Sequence, residues 1–141
     1  MKVLSAFVLL AVAACVPPET AAQAPTAGPI QMRTVNKGAL SGVVQRINFY
    51  SEVHADCSSM GYPTVRIVSP PPNGRVLIEQ SKDYPAYPQS NQRYRCNLNS
   101  VPGTAVSYLS NPGYVGPDST IVEIVFPDGA LWQTHSNILV R

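Results

Sequence analysis

From residue 38 onward the chain is written in short runs of alternating apolar and polar residues, each closed by a turn signal. Thr64-Val65-Arg66-Ile67-Val68 sets Val65 and Ile67 against Thr64 and Arg66, and Arg75 to Glu79 alternates again around Val76 and Ile78. Between these runs Ser69-Pro70-Pro71-Pro72-Asn73-Gly74 is turn chemistry, with proline presetting φ and Asn-Gly able to take positive φ. Residues 64–69 and 74–80 are therefore expected to form a hairpin. Ala39 to Tyr50 is partly alternating, and Thr104–Leu109, Ser119–Phe126 and Leu131–Val140 read as further strands, the last two separated by Pro127-Asp128-Gly129-Ala130. Residues 81–90 fit no period and read as a loop. The pattern predicts about seven strands and no amphipathic helix, hence an all-β fold, an antiparallel β-sandwich.

The first fourteen residues follow a different grammar. Lys2 is followed by an apolar run from Val3 to Val12 and then by small residues. That is the order of a secretory signal, and the run is shorter than the roughly 20 residues a spanning helix needs. Val12-Ala13-Ala14-Cys15 resembles the bacterial lipobox, which implies cleavage before Cys15 and a lipid on its thiol. By that resemblance residues 1–14 are a signal peptide, and Cys15 anchors the chain in the membrane of a bacterial envelope. Val16 stands where an aspartate would favour the inner membrane, so the resemblance leans toward the outer one. Residues 15–37 are rich in Pro, Ala, Thr and Gln and read as a lipid anchor and flexible tether. The folded domain is then expected over 38–141.

Composition narrows the picture in two respects. The net charge is +2 and only 13% of residues are charged, which argues against a nucleic-acid partner, since such proteins carry a basic face. Three cysteines are present, and with Cys15 assigned to lipid, Cys57 and Cys96 remain as a pair for one disulfide in an oxidising compartment. Neither CxxC spacing nor another redox signature accompanies them.

The second half resembles the bacterial immunoglobulin-like, cadherin-like repeat domains of large surface proteins. The residues that carry the likeness are Pro70, Gly74-Arg75-Val76, Tyr108, the corner Gly113-Tyr114-Val115-Gly116-Pro117-Asp118-Ser119, and Asp128-Gly129 before Leu131. In that corner Gly113 and Gly116 supply permissive backbone, Tyr114 plugs the end of the sandwich, and Asp118 bonds nearby amides. The resemblance implies an Ig-like sandwich with a binding or structural habit and no reaction. Two departures stand out: a single copy instead of a tandem array, and a disulfide.

Other chemistry is thin. His54, Asp56 and His135 could be imagined with a serine as a triad, but no nucleophile-elbow sequence is present. Two histidines fall short of a zinc site, and Asp118 with Asp128 falls short of the oxygens calcium needs, so no metal or cofactor is expected. Tyr94 lies two residues before Cys96, the spacing of a tyrosine corner, but Trp132 follows both cysteines, unlike the antibody pattern. The segment with Lys82, Tyr84 and Tyr87 is the strongest surface candidate, because tyrosines give amphipathic contact area and Pro85 and Pro88 lower the ordering cost. The expectation is a non-enzymatic envelope lipoprotein that binds an envelope protein or polysaccharide. The alternative is a lysozyme or protease inhibitor that uses the Tyr84–Tyr87 loop.

Overall fold

A computed structural model describes residues 29–141 of the chain. The signal-peptide and Cys15 expectations, and the tether as far as residue 28, lie outside these residues. The described chain is all-β, with nine strands and one short 3-10 turn: β1 (Gln31–Ala39), β2 (Gln45–Tyr50), β3 (Glu52–Val53), β4 (Ser59–Gly61), β5 (Thr64–Ser69), β6 (Gly74–Asp83), the 3-10 turn Tyr94–Leu98, β7 (Val101–Ser110), β8 (Gly116–Val125) and β9 (Leu131–Val140).

Seven of the strands form two sheets, β1-β9-β8-β5 and β2-β7-β6, and β3 pairs with β4 in a small separate ribbon. The pairing order is that of an immunoglobulin-type sandwich, with the first strand added beside the last. Alternating residues of both sheets meet in one core: Ile47 and Tyr50 of β2 and Val106 and Tyr108 of β7 pack with Val122 and Ile124 of β8 and Ile138 and Val140 of β9. Asn48 Nδ2 donates to Ser136 Oγ at 3.0 Å, a polar tie between the sheets that satisfies a hydroxyl on a fully buried residue.

Three expectations change. Residues 31–37, read as tether, belong to β1, which pairs parallel with β9 from Gln31↔Trp132 to Ala39↔Val140. Its side chains are mostly exposed, so the strand is held by backbone pairing and not by an apolar face. Residues 64–69 and 74–80 are not a hairpin: β5 pairs with β8 and β6 with β7, so Ser69–Gly74 crosses from one sheet to the other. The loop expected from Ser81 begins only after Asp83, because β6 runs that far.

The disulfide Cys57–Cys96 is formed and lies outside both sheets. It joins the turn between β3 and β4 to the 3-10 turn. Cys96 is buried there with Val53 and Val101, and Tyr87 and Cys57 pack against them as a second, smaller core. Cys57 is the one non-glycine among the described residues with positive φ, at 71°. The turn is closed by His54 N–H donating to Ser58 O and Cys57 N–H to His54 O. Tyr94 stands on the 3-10 turn, half exposed, and forms no tyrosine corner.

Candidate ligand-binding cleft

At the end of the sandwich where β1 and β9 begin and β2 and β8 finish, the two sheets part around a cleft of about 440 Å³. Phe49, Tyr50, Tyr87, Phe126 and Trp132 line it, together with Arg33, Arg93, Glu52 and Asp128. The strand pleat explains why these residues meet. Trp132 pairs with the buried Ile124, and Arg33 with the buried Thr134, so both sit on the core-facing side of their strands where the core ends. Phe126 makes edge contacts with Tyr50 at 6.5 Å and with Trp132 at 5.6 Å between ring centroids, an arrangement aromatic pairs favour.

The second wall comes from the small core. Residues Pro85 to Pro88 cross the cleft, with Pro85 buried and Tyr87 half-buried. Asn97, on the 3-10 turn, clamps the Tyr87 peptide from both sides: Tyr87 N–H donates to Asn97 Oδ1 at 2.9 Å, and Asn97 Nδ2 donates to Tyr87 O at 2.8 Å. Arg93 Nε donates to Val53 O at 2.6 Å, and Arg95 donates to Ala55 O at 2.7 Å. The disulfide therefore holds the 3-10 turn, the turn holds Tyr87, and Tyr87 closes the cleft.

Charge at the cleft is of both signs. Glu52 Oε2 accepts from the Asp128 amide at 3.1 Å, which brings two carboxyl groups together beside Arg93. Burial pushes the Glu52 carboxyl above its ordinary range, and the neighbouring Asp128 charge adds to this while the Asp128 amide and Arg93 oppose it. Burial likewise raises the Tyr50 phenol, with the Thr134 hydroxyl and the Arg33 charge pulling the other way. Burial also raises Tyr87. Tyr50 Oη and Thr134 Oγ1 are neighbours buried beneath the aromatic floor, and neither meets any other polar partner there.

Of the three residues singled out in the surface segment, only Tyr87 lines the cleft. Tyr84 is 60% exposed beside it, and Lys82 is an exposed residue of β6. The Gly113–Asp118 corner forms the opposite end of the sandwich. Gly113 and Gly116 have φ of 76° and 138°, and Tyr114 Oη donates to Pro117 O at 2.6 Å. Asp118 is buried and accepts from Tyr108 Oη at 2.7 Å, from the Asn73 amide at 3.1 Å and from the Ser119 amide at 2.9 Å. This ties the core tyrosine, the sheet crossover and the start of β8 to one carboxylate, and burial next to that carboxylate drives the Tyr108 phenol strongly upward.

Asp118 and Asp128 stand at opposite ends of β8 and share no site. His54 lies in the β3–β4 turn and His135 in mid β9, while Asp56 accepts from the Ser58 amide and hydroxyl as a local turn bond. Among the described residues no three His, Cys, Asp or Glu side chains are grouped to hold a metal ion.

The cleft residues come from five separated stretches of chain, which is why no motif marks them. The one usable signal was the lone tryptophan, Trp132. Comparison of the chain with family models, curated proteins and solved structures finds no match.

Proposed function

We propose that the protein is a non-enzymatic lipoprotein of the bacterial envelope whose sandwich domain binds a segment of an envelope protein or polysaccharide in the aromatic cleft. The observation that carries the binding role is the convergence of five aromatic rings, two arginines and two carboxyl groups on one concave end of the molecule. Concave, mostly apolar sites with a few polar groups are where ligands bind. Ring faces suit sugar rings or prolines, and the charges orient a polar ligand.

The anchoring role rests on Val12-Ala13-Ala14-Cys15, and the outer membrane is the destination Val16 favours. The described chain enters at Gln31, opposite Trp132, on the cleft side of the molecule. From Cys15 to that point the backbone reaches at most about 55 Å, so an anchored Cys15 keeps this end of the domain within about that distance of the membrane. The clamped Tyr87 and buried Pro85 lay the 85–88 segment against the body, which favours a cleft over a projecting inhibitory loop.

Two measurements test the proposal. Intact mass of the native protein is expected to show an acylated Cys15, and Cys15→Ser is expected to release the chain from membranes; an unmodified, soluble product from both removes the anchor. Because Trp132 is the only tryptophan, its fluorescence reports the cleft directly. Titration with solubilised peptidoglycan strands and with proline-rich peptides is expected to shift its emission saturably, with loss of the shift in Arg33→Ala. An emission unmoved by every probe removes the cleft as the binding site.

A further inference from the structure

β6 is an outer strand of its sheet, ten residues long, and its pairing with β7 runs without a register shift. Of the other outer strands, β2 and β5 carry an irregularity in their pairing, a feature that bends an edge away from new partners, while β1 pairs evenly with β9 but reads Gln31-Met32-Arg33-Thr34-Val35-Asn36-Lys37, which has no self-complementary pattern. β6 has no irregularity, and its first half reads Arg75-Val76-Leu77-Ile78-Glu79. Ile78 faces the core side, opposite the buried Val106, yet is 38% exposed, and Leu77 on the outer face is 37% exposed. Among the described residues neither Arg75 nor Glu79 has an ion-pair partner.

This sequence is complementary to itself when reversed. Antiparallel pairing of two β6 strands about a two-fold axis through Leu77 sets Leu77 against Leu77, Val76 against Ile78, and Arg75 against Glu79 twice. Directly opposed residues of antiparallel strands point to the same face, so the charges meet on the outer face and each exposed Ile78 gains Val76 of the other copy on the inner face. A two-fold contact of this kind is closed and does not propagate.

We propose that two copies of this chain join edge to edge through β6, in this register, to form a continuous six-stranded sheet. The contact lies on the flank of the sandwich and is independent of the cleft at its end.

The test is sedimentation equilibrium of the full chain carrying Cys15→Ser over a concentration series. A reversible monomer–dimer equilibrium is expected. Arg75→Glu or Glu79→Arg alone turns both opposed pairs into like charges and weakens the dimer about tenfold. The double swap Arg75→Glu/Glu79→Arg restores it, and Leu77→Cys yields a disulfide-linked dimer on oxidation. Thermal melts of the single variants, altered only at exposed residues, are expected to match the parent and so exclude misfolding. A chain monomeric up to its solubility limit, single reversals that associate like the parent, or a double swap that stays monomeric overturns the proposal.

Discussion

The molecule has two cores, and they are held by different means. The sandwich core draws on five strands from both sheets, with Ile47, Val106, Tyr108, Ile124 and Val140 almost wholly removed from water. The small core buries only Val53, Cys96 and Val101 and relies on the disulfide, the Asn97 clamp and arginine bonds to backbone carbonyls. Apolar burial is non-directional and grows with area, so the large core tolerates imprecision in any one contact. The small core has too little area for that and depends on a covalent bond and directed hydrogen bonds. It is also the part that closes the cleft. The proposed binding site thus sits where the fold has the least cooperative support, which is where local opening is expected.

The sharpest way to separate the cores is to damage each in turn. Ile124→Ala in the sandwich is expected to cost about 4 kcal/mol and to lower the urea midpoint of the whole domain in one transition. Removing the disulfide with Cys57→Ala/Cys96→Ala comes next. Closing that loop is worth up to about 4 kcal/mol by chain entropy, but the loss is expected to fall mainly on the small core. Hydrogen exchange is then expected to speed up at the amides of His54, of Asn99 and of the alanine now at position 57, while β7, β8 and β9 stay protected. Uniform acceleration across both regions would merge the two cores into one cooperative unit.

Tyr108→Phe removes the hydroxyl that reaches Asp118 but leaves that carboxylate its two amide donors, so a loss of about 1–2 kcal/mol is expected. The same residue governs alkaline behaviour. The folded state raises the Tyr108, Tyr50 and Tyr87 phenols, so it holds their protons more tightly than the unfolded chain does. That stability is fully present below the ordinary phenol value of about 10 and is lost as pH climbs above it. Tyr108→Phe is expected to flatten the fall, measured as the urea midpoint at successive alkaline pH values. The smallest effect is assigned to Asn97→Ala: about 1 kcal/mol off the local stability of the small core, little change in global melting, and a change in Trp132 emission as the cleft wall loosens.

Legibility from sequence divides along similar lines. β7, β8 and β9 were visible because each is a run rich in β-branched and aromatic residues set between turn signals. β1 was not, because Gln31, Met32, Arg33 and Thr34 are exposed and its place is decided by pairing with β9. The turn chemistry of Ser69–Gly74 was read correctly as a reversal of the chain. Local residues fix the bend and not the partner, so a hairpin and a crossover between sheets look alike in one dimension. The disulfide pair followed once Cys15 was set aside by its resemblance to a lipobox cysteine, whereas the cleft did not, since Arg33, Tyr50, Glu52, Tyr87, Phe126 and Trp132 share no spacing.

The alternation of apolar residues, the proline and glycine punctuation and the paired cysteines determined an all-β sandwich with one disulfide, because side-chain periodicity and turn preference are local properties. Which strands neighbour each other, that the first lies parallel to the last, and that an aromatic cleft opens at their shared end were decided only in three dimensions. Backbone pairing and convergence depend on what lies across the sheet, and that is not encoded by any single stretch of chain.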